Sequence, residues 1–299
     1  MSAPHRVVVR APATIANLGP GFDCLGIALS WHNEVSVERD SSGELNVTVA
    51  GQGAQEIARD ETNLVVRAIA SVAGTAAGLR VNLINAVPFG RGFGSSSAAI
   101  VAGLVAGLAM EGRSWEPAEL VRVAAEIEGH SDNVAPCASG GACVVSGESV
   151  LPLGVPDGIE VVACVAPMAL STEAARRALP EQVSFSDAVA NSGRAALLAG
   201  ALAKGDASLL LAATDDVLHQ PARFGLAPDS GRLVHALRRE GIAAFLAGAG
   251  PSVAALVPAA EAAAAEAAAG RLAGDGWDVR RVAIDAHGAT VVEGAPALA

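Results

Sequence analysis

A glycine- and serine-rich loop that leads into a long apolar segment constrains this chain more than any other feature. The loop reads Pro88-Phe89-Gly90-Arg91-Gly92-Phe93-Gly94-Ser95-Ser96-Ser97-Ala98. Glycine at every second position is needed where a backbone comes close to another group or adopts a positive φ. The apolar run to Met110 predicts a helix whose unpaired N–H groups and positive dipole end face the loop. This pattern predicts an anion site, with phosphate as the first candidate, although a serine-capped glycine turn is the alternative that the loop alone leaves open.

Length, composition and charge narrow the class of protein. The chain has 299 residues, of which 52% are apolar, so two domains or one large domain are expected. No strongly apolar run of about 18 residues predicts a membrane span, and no secretory leader precedes the first strand. The net charge of −11 argues against binding to nucleic acid or to a membrane surface. We therefore expect a soluble, cytoplasmic protein.

Lysine and cysteine usage exclude two further classes of site. Lys204 is the only lysine, and no Gly-x-x-x-x-Gly-Lys-Ser/Thr sequence occurs, which excludes a Walker-type nucleotide loop. Cys24, Cys137, Cys143 and Cys164 show neither C-x-x-C spacing nor the density of a disulfide scaffold. The cysteines are interpreted as small buried residues in a reducing compartment.

The order of apolar patterns predicts a mixed α+β chain with two domains. A Pro- and Gly-rich stretch at 151–158 is the candidate boundary, which gives domains of 1–155 and 156–299. The second half is predicted as β–α…α–β–β–α–β, close to a ferredoxin-like plan. Within this pattern, 207–218 is predicted as one helix and 129–141 as irregular.

Three separated motifs resemble one family, the GHMP small-molecule kinases. The first is the run from Ala11 to Asp23, which contains Asn-Leu-Gly-Pro-Gly-Phe-Asp; the second is the glycine loop; and the third is the run from Leu246 to Val253. The stretch from Glu128 to Pro136 narrows the match to members that phosphorylate an amino acid. The motifs occur in the expected order and span essentially the whole chain.

This resemblance implies a fold and a reaction. The fold would be an amino-terminal domain like domain 2 of ribosomal protein S5, joined to a ferredoxin-like carboxy-terminal domain. The reaction would transfer the γ-phosphate of ATP to the hydroxyl of L-homoserine, giving O-phospho-L-homoserine on the route to threonine. A homodimer is also implied.

The resemblance assigns the ATP side of the site to the glycine loop, the residues 88–98, with Asn63 near the adenine. Ser96 matches the family's magnesium-binding serine, and Mg²⁺ prefers oxygen ligands. Glu126 is the expected carboxylate of the Mg²⁺ site, with Glu128 as the alternative. Asn63 has a second interpretation, because an asparagine at a helix start also serves as a cap.

Homoserine carries an ammonium, a carboxylate and a hydroxyl, and its pocket needs matching groups. Asp23, beside Asn17 in the first motif, fits the ammonium. Arginine suits a carboxylate because its guanidinium binds both oxygens at once. The substrate-binding residues expected from the resemblance are Asn17, Asp23, His130, Thr172, Arg176 and Arg223.

Proton removal from the acceptor hydroxyl has no clear base. Many members of the family have an aspartate where this chain has Asn133, and an amide cannot act as a general base. The hypothesis is direct in-line transfer, with the proton lost to a phosphate oxygen or to solvent, and His130 as the alternative base. Another acceptor, such as mevalonate or shikimate, and a catalytically silent ATP-binding module are the alternative functions.

Overall fold

The computed structural model describes residues 4–293 and contains two β-sheets with helices packed around them. The strands are β1 Arg6–Asn17, β2 Gly21–Arg39, β3 Asn46–Gly51, β4 Leu79–Asn85, β5 Ala142–Ser146, β6 Ser149–Leu153, β7 Ile159–Val165, β8 Ala243–Leu246, β9 Val253–Pro258, β10 Asp278–Val282 and β11 Thr290–Glu293. The helices are α1 Leu64–Ala73, α2 Ser95–Met110, α3 Pro117–Glu128, α4 Val134–Ser139, α5 Thr172–Arg177, α6 Phe185–Lys204, α7 Leu210–Ala213, α8 Gln220–Phe224, α9 Pro228–Arg239 and α10 Ala262–Ala273.

The first sheet holds the amino-terminal half of the chain. Its strand order is β11-β1-β2-β4-β3, with β5 paired to β2 and β6 paired to β5, and the β3–β4 pair is parallel. Helix α2 packs on β1 and lies between α1 and α3. Nearly every residue of α2 from Ser97 onward is buried, as expected for a helix that is apolar on all sides. The glycine loop therefore ends in a helix that is fixed inside the core.

The second sheet has the ferredoxin-like plan that the sequence predicts. Its four antiparallel strands have the order β10-β7-β9-β8. Side chains of β7 alternate between two cores: Val162 and Cys164 face α9 and α10, whereas Val161 and Ala163 face the other way. Both predicted halves of the mixed α+β fold are therefore confirmed.

A long hairpin joins the two sheets. β1 and β2 pair over their whole length, with a register shift between Pro12 and Ala13. Beyond this shift Ile15 and Ile27 belong to a second buried cluster, which also contains Leu198 of α6. The turn of the hairpin, residues 18–20, is thereby held between the two sheets.

Several sequence-based boundaries differ from the structure. The predicted division at 155/156 falls in the connection between β6 and β7 and stays a prediction, while β11 returns to pair with β1 in the first sheet. The segment 207–218 is not one helix, since α7 ends at Ala213 before two aspartates. The segment 129–141 is not wholly irregular, because it contains α4. No helix among residues 4–293 is long and apolar enough to cross a membrane.

The cysteines match their interpretation as small core residues. Cys137, Cys143 and Cys164 are buried, Cys24 is partly buried, and all four are free thiols. Burial raises the pKa of the Cys164 thiol to about 12. These groups are therefore unreactive packing residues at neutral pH.

Candidate functional site

A cavity of about 770 Å³ opens where the two sheets meet. It gathers the glycine loop, the first motif, the start of α5, one residue of α8 and the turn of the third motif. The sequence-predicted site residues that line it are Asn17, Asp23, Gly90, Arg91, Gly92, Gly94, Ser95, Ser96, His130, Asn133, Thr172, Arg176 and Arg223. Segments from Ala16 to Gly250, 234 positions apart in sequence, therefore share one cleft.

The three loop glycines adopt the backbone that their spacing predicts. The φ angles of Gly90, Gly92 and Gly94 are 66°, 85° and 62°, a region that side-chain-bearing residues rarely adopt. Two of them are also in close contact with neighbouring groups. A Cβ on Gly92 would lie 2.1 Å from the carbonyl oxygen of Ala247, and one on Gly94 would lie 1.9 Å from Thr14 Oγ1. Both reasons for glycine therefore apply: φ is positive at all three positions, and Gly92 and Gly94 are also in close contact with neighbouring groups.

The N-terminus of α2 faces the cavity without a side-chain cap. Gly94 is its N-cap residue and makes no capping hydrogen bond, and Ser95 and Ser96 line the cavity. The first N–H groups of the helix and its positive dipole end are thus directed at a space large enough for phosphate groups. This backbone geometry is the one that the predicted anion cradle requires.

A carboxylate lies against the serines, but it is Glu128 rather than Glu126. Oε1 of Glu128 accepts hydrogen bonds from Ser96 Oγ at 2.6 Å and from Ser97 Oγ at 2.9 Å, and its side chain is 8% exposed. Glu126 is 65% exposed and pairs with Arg122, one turn away on α3. Residues two apart on a helix face different directions, so only one can reach the serines. The structure therefore favours Glu128, the alternative that the sequence left open, over Glu126 as the carboxylate beside the serines.

The oxygens around Glu128 fit a magnesium ion. One carboxylate and two hydroxyls converge within hydrogen-bond distance beside the α2 N-terminus. Such oxygens are the ligands that Mg²⁺ prefers, and the ion commonly takes only one or two protein ligands, together with water and phosphate. No group of three or more His, Cys, Asp or Glu side chains suited to a metal occurs among residues 4–293. Ser96 and Glu128 therefore have the oxygen chemistry that a Mg²⁺ ion at this loop would need.

Side chains of the loop have mainly structural contacts. Phe93 is fully buried against Trp31, and Arg91 donates to the carbonyl oxygens of Phe89, Ala166 and Pro167. Pro88 and Ala98 are also buried. ATP could therefore contact the backbone of these loop residues rather than their side chains, which applies to Pro88, Arg91, Phe93 and Ala98.

A second, smaller cavity adjoins the loop. It measures about 200 Å³ and is mostly apolar, with Phe89, Val65 and Leu83 in its lining. Asn63 also lines it, but the amide caps α1 by accepting from Val65 N at 2.9 Å and donates to Ala58 O. Both interpretations of Asn63, as a helix cap and as a residue beside a ring-sized pocket, fit its position.

Asp23 and Arg176 pair with each other across the large cavity. Both carboxylate oxygens of Asp23 accept from the guanidinium of Arg176, each at 2.9 Å. Both side chains remain about 40% exposed. The sequence predicts that Asp23 binds the ammonium of a ligand and that Arg176 binds its carboxylate. In this structure the two side chains neutralise each other.

Asn17 has a supporting role rather than a free side chain. Its Nδ2 donates to Gly248 O at 2.9 Å, its Oδ1 accepts from Asp23 N, and the residue is 4% exposed. Asn17, Leu18 and Asp23 all have positive φ, which is costly for residues other than glycine. The amide of Asn17 therefore holds a strained loop that presents Asp23.

The third motif closes the site from the second sheet. Gly248 O accepts from both Asn17 and Arg223, and the turn packs against the carbonyl of Gly92. Arg223 is 2% exposed and also bonds to His219, a residue that sequence reasoning missed. The i, i+4 spacing of His219 and Arg223 was the available signal.

His130 and Asn133 flank the end of α3. His130 Nδ1 lies 2.8 Å from Asp132 Oδ1, and this close carboxylate raises the pKa of His130 above its ordinary value. A ring that holds its proton donates hydrogen bonds and is a poor base. Asn133 Oδ1 accepts from Thr14 Oγ1 at 2.8 Å. This contact, also not foreseen, directs the amide nitrogen away from Thr14.

Two protein-family models match this chain, one in each half of the sequence. The model for the GHMP kinase N-terminal domain matches residues 63–141, and the model for the GHMP kinase C-terminal domain matches residues 198–275. Together these matches cover more than half of the chain. The chain belongs to the GHMP kinase family. As a GHMP kinase, it is an ATP-dependent enzyme that phosphorylates a hydroxyl group.

Within the GHMP kinases, this chain is similar to homoserine kinases. It is 45% identical to homoserine kinase of Streptomyces avermitilis over 298 residues, which is 96% of this chain and 95% of the relative. It is 47% identical to that of Mycolicibacterium smegmatis over 260 residues, 81% of each chain. The crystal structure of homoserine kinase from Cytophaga hutchinsonii matches with a TM-score of 0.86 at 30% identity, covering 98% and 99% of the two chains. The predicted family resemblance is confirmed.

Proposed function

We propose that this GHMP kinase transfers the γ-phosphate of ATP to the hydroxyl of L-homoserine, giving O-phospho-L-homoserine and ADP in threonine biosynthesis. One observation carries the proposal: the loop glycines and the N-terminus of α2 share one cavity with a carboxylate and two guanidiniums. These charges match a zwitterionic alcohol. The printed names of the relatives, homoserine kinase, support the same acceptor.

ATP fits the two adjoining cavities. The smaller apolar one suits the adenine ring, and the N-terminus of α2 with the loop N–H groups suits the phosphates. Phosphoryl transfer depends mainly on positioning and on electrostatic stabilisation of the phosphate oxygens. The buried helix α2 serves both needs because its N-terminus cannot shift without disturbing the core.

Mg²⁺ would be held by Ser96 and Glu128 and would supply positive charge between the phosphate groups. Ser97, which also donates to Glu128, would keep the carboxylate turned toward Ser96. Glu126 has no part in this assignment.

Homoserine would enter by replacing the contact between Asp23 and Arg176. The ammonium of homoserine pairs with Asp23 in place of Arg176. The carboxylate of homoserine pairs with Arg176 in place of Asp23 and also contacts Arg223. Each protein charge exchanges one partner for another, so neither is left unpaired. His130 and Thr172 line the same space and would contact the chain of the substrate.

The acceptor oxygen forms its bond to the γ-phosphorus as the bond from that phosphorus to the ADP oxygen breaks. No side chain is assigned as the base, because Asn133 cannot accept the proton and Asp132 favours the charged form of His130. The hydroxyl proton leaves to a phosphate oxygen or to solvent.

Cellular setting and assembly extend the proposal. Four free thiols suit a reducing compartment, and we assign the enzyme to the cytoplasm. The family resemblance implies a homodimer, which stays a prediction that sedimentation velocity can test. The absence of nucleic-acid and membrane partners also stays a prediction.

An ADP-release assay with homoserine, mevalonate, shikimate and no acceptor tests the function. We expect homoserine-dependent turnover and a phosphate ester in the ³¹P NMR spectrum of the product. Turnover on mevalonate or shikimate without turnover on homoserine would assign another acceptor. ATP binding without turnover on any alcohol would leave a silent binding module.

A further inference from the structure

His219 is a buried histidine that lies behind the acceptor side of the cavity rather than in it. It is the N-cap residue of α8 and is 1% exposed. Its Nε2 lies 2.8 Å from the carbonyl oxygen of Gly19, in the turn of the β1–β2 hairpin. Its Nδ1 lies 3.0 Å from Nη1 of Arg223. The ring therefore links the first motif to the buried arginine.

The two partners of the ring fix its protonation. A carbonyl oxygen only accepts, so Nε2 must carry the hydrogen. A guanidinium only donates, so Nδ1 must offer its lone pair. His219 is therefore the neutral Nε2–H tautomer. Burial, which lowers the pKa of His219, favours the same neutral form.

Arg223 is held by one end of its guanidinium. Nη1 bonds to His219 and to Gly248 O, and the group lies 5.2 Å from the centre of the Phe22 ring. Nε is buried and has no hydrogen-bond partner among residues 4–293. Because Nη1 makes both of these bonds, Nη2 has no hydrogen bond to the residues that the structure describes and is left to donate to a carboxylate.

We propose that His219 is a positioning residue for Arg223: its neutral Nδ1 orients the guanidinium so that Nη2 binds the acceptor's carboxylate. The inference rests on the proposed function, in which Arg223 binds that carboxylate. His219 makes no contact with the substrate and acts only through Arg223.

The backbone around His219 does not depend on its ring. The Asp216 carboxylate accepts from the N–H groups of Leu218, His219 and Gln220 and so caps the start of α8. Gly19 is independently packed against the carbonyl of Thr214. Replacing the ring therefore removes the hold on Arg223 and keeps the local fold.

Three substitutions separate the two ends of the ring. His219→Asn keeps an acceptor two bonds from Cβ, at the position of Nδ1, and loses the link to Gly19. His219→Gln keeps a donor three bonds from Cβ, at the position of Nε2, and has no acceptor two bonds from Cβ, at the position of Nδ1. His219→Ala loses both. Thermal unfolding followed by circular dichroism checks that each variant is folded, and the Ala variant serves if the Gln variant is not.

The KM for homoserine is the expected readout. Loss of a hydrogen bond to a charged group raises it on the order of tenfold in the Gln and Ala variants, while the Asn variant restores most of the affinity. The KM for ATP stays unchanged in all three. With 3-aminopropan-1-ol, which is homoserine without its carboxylate, all variants match the wild type because Arg223 has no ligand.

Two results overturn the inference. Equal rises in the homoserine KM for the Asn and Gln variants, or equal losses on both alcohols, would make His219 a purely structural residue. If the wild-type enzyme phosphorylates another alcohol and not homoserine, the proposed function fails first and the role of His219 falls with it. Activity of the wild type on homoserine separates these cases.

Discussion

The phosphate side and the acceptor side of the cavity are built in different ways. The phosphate side consists mainly of one continuous segment, residues 90–97, whose backbone is shaped by glycines and fixed by the buried helix α2. The acceptor side consists of side chains from separate elements: Asp23 on β2, Arg176 on α5 and Arg223 on α8. Its charges are brought together only when both sheets are assembled.

This difference predicts how each side responds to change. A site formed by backbone groups does not tolerate an added Cβ where φ is positive or where a neighbouring atom is in contact. A substitution that displaces this backbone lowers the rate of catalysis as a whole. A side-chain site can lose one charge and still retain the others, and its failure appears mainly as weaker substrate binding. The two sides are therefore distinguishable by kinetics.

Gly94→Ala is expected to have the largest effect. The new Cβ would meet Thr14 Oγ1 at 1.9 Å and would require a φ near 62°. The loop must shift, and a displacement of about 1 Å at a reacting group costs on the order of 10²-fold in rate. We expect kcat/KM for both substrates to fall by at least that factor, measured by ADP release.

Gly112→Ala is the matched control for Gly94→Ala. Gly112 has a similar φ of 66°, but a Cβ there has no neighbour within 4 Å, and the residue follows α2 at its far end. We expect this variant to cost some stability and to leave kcat/KM within about twofold. Equal losses of activity in both variants would show that backbone strain alone, and not the cradle, matters.

Glu128→Gln is expected to have the next largest effect. The substitution keeps the shape and removes the charge that faces Ser96 and Ser97. Changes to groups that hold or orient a metal cost about 10–100-fold, so we expect a lower kcat and a higher Mg²⁺ concentration at half-maximal rate. Glu126→Gln, on the exposed face of α3, should match the wild type in both. A larger loss in the Glu126 variant would restore the original expectation.

The same contrast explains what the sequence could predict. The spacing of Gly90, Gly92 and Gly94 predicts their positive φ angles, because few residues other than glycine adopt positive φ. The apolar sequence after them predicts helix α2 in the same direct way. The ferredoxin-like order of the second half follows from hydrophobic periodicity. These features are local, and local patterns are what a sequence displays directly.

Features that depend on tertiary contacts were harder to predict. Glu126 and Glu128 are both acidic residues near the end of one helix, and only the packing of α3 on α2 decides which carboxylate faces Ser96. The return of β11 to β1 is likewise a long-range pairing. His219 lay four residues before a predicted arginine, but its importance depends on Gly19, which is distant by 200 positions.

Arg176→Ala is expected to have the smallest effect of these substitutions and a different kinetic signature. Arg176 is about 40% exposed and pairs with Asp23, whereas its neighbour Arg177 pairs with Glu173 on the same helix. We expect Arg176→Ala to raise the KM for homoserine on the order of tenfold, the cost of one charged hydrogen-bonding partner, and to leave the KM for ATP unchanged. Arg177→Ala should change neither. If Arg176→Ala instead lowered kcat with both KM values unchanged, its guanidinium would act on the phosphoryl group in the transition state, and the division between a phosphate side and an acceptor side would fail at this residue.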